Sequence, residues 1–166
     1  RDSNDIVIEI GITPNRQDCL GVKGIARDLA SAGMGELLER KISREKGSFK
    51  SPIKIEIQDN TICSAFAGRY FRNVKNTESP EWLKNKLKSI GLRPISALVD
   101  ITNFVMYDEN RPLHVYDADK IDGKIIVRKA NDGESFLALD EKDYQLKNDM
   151  CVIADEKKVL GLGGIM

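Results

Sequence analysis

Three side chains in one stretch, Thr102, Asn103 and His114, combine a hydroxyl, an amide and the only imidazole of the chain. An imidazole titrates near neutrality, so His114 can position a water, transfer a proton or donate to a substrate carbonyl. Asn103 offers both an amide donor and an amide acceptor, and Thr102 a hydroxyl. Asparagine is a poor helix former, so inside a helix it needs another justification: a hydrogen bond across the fold, or one to a ligand. The bland readings stand beside these, a packed structural histidine and a polar tether for the "RPLH" loop. No serine or cysteine with a triad-like local signature stands near His114 in sequence. Near the other end, "GLGG" (Gly161 to Gly164) has neither a Walker lysine nor dinucleotide-binding spacing. Gly163 and Gly164 there would let backbone approach a small ligand or offer N–H groups to a carbonyl; a tight turn is the equal alternative.

Thr102 and Asn103 need a helix under them, and the spacing of Leu98, Ile101, Phe104 and Val105 predicts one from Ser96 to about Glu109. Asp100, Asn103 and Tyr107 fall together on another side. Asn110 and Pro112 should end the helix and return the chain towards His114. Upstream, "SPEWLKNKLKSIG" predicts a helix with Ser79 at the N-cap, Pro80 at the first helical position and Gly91 as terminator. Its expected buried stripe is Trp82, Leu83, Leu87 and Ile90, which makes Trp82 core rather than a ligand platform.

Towards the N-terminus, Asp5 to Ile10 alternates as a strand would. A turn and helix follow, with Leu20, Ile25 and Leu29 on one apolar side and Gly33 at the stop. The lysine-rich tract from about Gly35 to Ser51 reads as a linker. "PIKIEI" (Pro52 to Ile57) and Cys63 to Val74 are further strand expectations. "KIIVRKA", "ESFLALD", "DYQL" and "MCVIADEKKVLGLGG" read as short strands between turns, with "ADEKKV" closing a hairpin. The fold class is α+β: a mixed or mostly antiparallel sheet with packed helices.

Composition removes several classes of function. Hydrophobic residues at 41% and charged residues at 31% belong to a folded chain rather than a disordered one. Lys plus Arg and Asp plus Glu are both 26, so no global field draws the protein onto polyanions. Local patches remain, at Glu39 to Lys50 and at Lys84, Lys86, Lys88 and Arg93; solvated surface charge is the simpler explanation of both. Cys19, Cys63 and Cys151 are scattered, which fits reduced thiols in a cytoplasmic protein and no structural metal site. No apolar run approaches the roughly 20 residues of a membrane span. The opening "RDSND" lacks a Met, as expected of a piece of something longer.

Several segments together resemble the beta subunits of bacterial phenylalanyl-tRNA synthetase. They are "ITPNRQDCLGVKGIARDLA", "SPEWLKNKLKSIGLRPISALVDITNFVMYDENRPLHVYDADKI", "GKIIVRKANDGE" and "VIADEKKVLGLGGIM", and they occur in the family's order over all but the lysine-rich tract. The resemblance implies that residues 1–50 hold the end of the subunit's first lobe and a linker. It makes residues 51–166 the central tRNA-editing module, incomplete at its C-terminus.

That module implies hydrolysis of the ester joining tyrosine to phenylalanine tRNA. A hydrophobic pocket rejects an added hydroxyl only weakly, so a second site is needed to correct the first. Carried over residue by residue, Thr102, Asn103 and His114 match pocket residues, and Gly163 and Gly164 a substrate-binding pocket loop. His114 and Asn103 would orient a water or the ester carbonyl, and Thr102 the substrate's polar end. A glutamate that recognises the tyrosine hydroxyl in the family falls beyond Met166, so the isolated fragment is expected to be inactive.

The resemblance further implies no cofactor for the fragment, with ATP and magnesium used by the full synthetase. Expected partners are phenylalanine tRNA and the alpha subunit, two alpha with two beta. The alternative function is a non-catalytic module of the same synthetase, docking tRNA through Lys84, Lys88 and Arg93 or serving as a subunit interface.

Overall fold

A computed structural model of the chain describes residues 6–164. Three helices, α1 (Val22–Ser31), α2 (Glu81–Ser89) and α3 (Ala97–Glu109), accompany six strands. The strands are β1 (Ile55–Ile57), β2 (Ile125–Lys129), β3 (Ser135–Leu137), β4 (Asp143–Gln145), β5 (Cys151–Ala154) and β6 (Val159–Leu162). The class is α+β, as the sequence patterns require. Two compact units share these elements: Arg1–Glu45 with Asn73–Val115, and Lys46–Arg72 with Tyr116–Met166.

The second unit holds the sheets. A mixed sheet runs β1-β2-β5-β6, and β3 with β4 forms a separate antiparallel pair. Strand β1 lies parallel to β2, with Ile55 opposite Ile125 and Ile57 opposite Val127. A parallel pair needs a long connection, and the residues between these strands include α2 and α3. Ile125, Ile126 and Val127 are all buried, the pattern of a central strand covered on both faces. Ala130, Phe136, Ala138, Leu146, Val152 and Val159 form a contiguous core.

The β5–β6 hairpin predicted at "ADEKKV" is present, and Asp155 shapes it. Its Oδ1 accepts the backbone N–H groups of Lys157 and Lys158 at 2.8 Å each, and Oδ2 that of Asp122 at 3.2 Å. Burial pushes the Asp155 carboxyl up, but those donors outweigh it and hold the pKa below the ordinary value.

Two expected strands are absent. Ile6–Ile10 has no strand, with Asp5 outside the described residues, and Cys63–Val74 is irregular. Alternation specifies two faces of an extended chain, whereas a strand also needs a neighbour to accept its ladder of hydrogen bonds.

The first unit holds the helices, and their burial departs from the apolar stripes. In α2, Leu83 and Leu87 are sealed while Trp82 remains 58% exposed and Ile90 exposed as well, so Trp82 is not core. Its ring instead meets Phe104 of α3 edge-on, 5.5 Å between centroids. Only the residues one turn apart lie on the seam; Trp82 sits about 100° round from Leu83. Leu20, just before α1, and Leu29 within it stay exposed, and Gly24 is the buried residue of the helix. A Cβ there would stand 1.8 Å from the carbonyl oxygen of Asp18, so only glycine admits this approach.

Candidate functional site

Helix α3 carries Thr102 and Asn103 at adjacent central positions, and both are half-buried. Its start is tied down by polar groups rather than by apolar packing. Asp100, with no solvent exposure, accepts the Ser79 hydroxyl at 2.5 Å and the Ile95 backbone N–H at 2.9 Å. Two orphan N–H groups of the first turn also find partners: Ala97 donates to the Thr77 carbonyl at 2.8 Å and Leu98 to Asn76 Oδ1 at 3.1 Å. Ser79 therefore does not cap α2. Pro80 occupies the N-cap with extended backbone (ψ 151°), and the Ser79 hydroxyl turns to Asp100.

The far end of α3 is held as firmly. Asn110 adopts the left-handed conformation (φ 53°, ψ 41°) and terminates the helix where expected. Its side-chain amide donates to the Gln17 carbonyl at 2.5 Å. Gly21 makes this possible, because a Cβ there would come within 2.7 Å of the Asn110 backbone nitrogen. Asp108 is buried and receives the Arg40 guanidinium on both oxygens, the second bond at 3.0 Å, while Lys23 reaches Glu109 at 2.7 Å. Arg40 of the expected linker thus latches onto α3, as does Lys23 of α1.

Thr102 spends its proton locally: Oγ1 donates to the Val99 carbonyl at 2.7 Å. Towards any ligand the hydroxyl is left with acceptor capacity only. His114 lies four residues beyond Asn110 in the same unit, exposed, in the irregular segment that follows the helix. Gly163 and Gly164 belong to the second unit and close β6. The Gly163 N–H donates to the Cys151 carbonyl at 2.8 Å, and a Cβ at Gly163 would meet Cys151 Sγ at 2.8 Å. Gly164 is exposed with φ +78°, a conformation that favours glycine.

Cysteines 19, 63 and 151 are free thiols. Burial pushes the Cys19 thiol above its ordinary value, and the Arg16 guanidinium donates to its sulfur at 2.9 Å. Among the described residues no group of three His, Cys, Asp or Glu could hold a metal ion, and no helix is long and apolar enough to cross a membrane.

Sequence reasoning missed the buried Ser79–Asp100 pair and the Arg40–Asp108 bridge. Asp100 was legible only as a polar residue at helical spacing. No local pattern says that a carboxylate will be sealed by a serine 21 positions earlier.

Residues 62–166 match the family model of the B3/4 domain. Over 162 residues the chain is 57% identical to the phenylalanine–tRNA ligase beta subunit of Bradyrhizobium diazoefficiens, covering 98% of this chain and 20% of that protein. The corresponding subunit of Brucella melitensis is 53% identical over 166 residues, and that of Ruegeria pomeroyi 54% over 164; each comparison covers 98% of this chain and 21% of the relative. The chain thus spans about a fifth of the length of the curated relatives it matches.

Proposed function

The chain belongs to the phenylalanine–tRNA ligase beta-subunit family, and we propose that it carries most of a site that hydrolyses tyrosine mischarged on phenylalanine tRNA. The observation that carries this reading is the clamping of α3 at both ends, by Asp100 and by Asn110, around adjacent Thr102 and Asn103. Clamping of this kind fixes polar groups at the angstrom tolerance that positioning a reactant demands.

In this reading Asn103 and His114 orient the attacking water and the ester carbonyl. Thr102, its proton already given to Val99, accepts a hydrogen bond from the substrate's ammonium or hydroxyl. Gly163 offers no N–H to a substrate, since its own is committed to the Cys151 carbonyl. The scissile bond joins the tyrosyl carbonyl to a ribose oxygen; water adds to the carbonyl, the ribose oxygen leaves and takes up a proton, and tyrosine is released.

Residues 51–166 form the module in this account, and residues 1–50 the end of the preceding lobe. ATP and magnesium we assign to aminoacylation by the whole synthetase, in the cytoplasm, with phenylalanine tRNA and an alpha subunit as partners in a two-alpha, two-beta assembly. The B3/4 match favours hydrolysis over a docking-only or interface role. Hydrolysis of tyrosyl-tRNA by the complete synthetase, with Asn103→Ala and His114→Ala as variants, is the test.

A further inference from the structure

The first unit contains a cavity of about 370 Å³ between α2, the loop after it and the start of α3, lined by Ser79, Lys84, Lys88, Arg93, Ile95 and Asp100. Its wall is pre-shaped. Asp100 holds the Ile95 N–H from beneath, Leu92 N–H bonds the Leu87 carbonyl at 2.9 Å, and Pro94 restricts the loop between them. Arg93 is thereby displayed from a fixed backbone, beside Lys88 in the last turn of α2.

The charges here are unequally committed. Lys84 is neutralised by Glu78 at 2.9 Å and Glu81 at 3.1 Å. Asp100 is sealed and already holds two donors, and Glu78, the other acid of the lining, is held by Lys84. Lys88 and Arg93 enter no ion pair among the described residues and are both exposed. A concave pocket presenting two uncommitted cations, one a planar fork of donors and one a point charge, suits an anion with several acceptor oxygens.

We infer that this pocket receives a phosphodiester group of the tRNA backbone, held by Lys88 and Arg93. The inference rests on the reading above only for the origin of the phosphate. It also narrows the basic patch: Lys84 serves as a wall and not as a ligand contact.

The experiment is tRNA binding by the complete synthetase over a series of salt concentrations, comparing wild type with a Lys88→Ala/Arg93→Ala double variant and with Lys86→Ala. Lys86 is on the same helix and outside the cavity lining. The double variant should bind phenylalanine tRNA about five- to tenfold more weakly, with the slope of log affinity against log salt reduced by about one, the share of a single phosphate. Lys86→Ala should stay within about twofold of wild type.

An unchanged affinity and slope in the double variant overturns the inference, whatever the variants do to binding of free inorganic phosphate. Weakened binding with an unaltered slope also overturns it, as does an equal effect of Lys86→Ala, which would reveal diffuse surface charge. Because binding is what is read, the result stands apart from success or failure of the hydrolysis assigned to Asn103 and His114.

Discussion

The Ser79 hydroxyl donates to the Asp100 carboxylate across 2.5 Å in a position from which solvent is wholly excluded at Asp100. One buried carboxylate thereby joins Ser79, just ahead of the α2 N-cap, to the loop at Ile95 and the first turn of α3. Removing it leaves the Ser79 hydroxyl and the Ile95 N–H without their acceptor, at about 1–3 kcal/mol for each buried orphan. Asp100→Ala should therefore cost about 3 kcal/mol or more in urea denaturation, and Ser79→Ala about 1–2 kcal/mol. Equal stability of Asp100→Ala and wild type would show that the pair holds nothing together.

Arg40 ties the lysine-rich tract to α3 through both oxygens of Asp108. Arg40→Met leaves the buried Asp108 carboxylate without that fork and releases the tract. Trypsin should then cut at Lys41 and Arg44 several times faster than in wild type, with only a small loss of global stability because Arg40 is itself largely exposed. An unchanged cleavage rate would mean that the tract is held elsewhere.

In the second unit Arg128 grips Glu134 with two parallel bonds of 2.6 and 2.9 Å, and the Asn131 N–H adds a third donor. The Arg128 bonds lead in holding the Glu134 carboxyl below its ordinary value, against burial, which opposes them. A carboxyl depressed in the folded state contributes stability that is complete above its unfolded value, about 4.3, and lost as pH falls through the folded value. Wild type should lose stability below about pH 4, and Glu134→Gln should be weaker at neutral pH by about 2 kcal/mol with a shallower decline in acid. Parallel acid profiles for the two proteins would remove Glu134 from this role.

Much of the helical layout was legible in the sequence, because the signals that stop helices are local. Gly33, Gly91 and Asn110 all adopt positive φ where the pattern placed a terminus, and the "ADEKKV" turn closes the hairpin expected of it. What was not legible depended on partners distant in sequence. Ile6–Ile10 and Cys63–Val74 alternate or carry aromatics as strands do, yet no neighbouring strand pairs with them. Trp82 had the right spacing for a core and sits on its flank. At the candidate site the helix under Thr102 and Asn103 was foreseen, while the polar clamps that fix it were not. Asp100, Asp108 and Arg40 read as ordinary charges until the fold supplies their partners.

Asn103 and His114 are the residues proposed to position the hydrolysis of a mischarged ester. The most direct measurement is the rate at which the complete synthetase deacylates tyrosyl-tRNA, with phenylalanine aminoacylation followed in parallel. Asn103→Ala and His114→Ala should each slow deacylation by about two orders of magnitude, the usual size of a positioning or proton-transfer contribution, and leave aminoacylation intact. Deacylation at the wild-type rate in both variants would contradict the account.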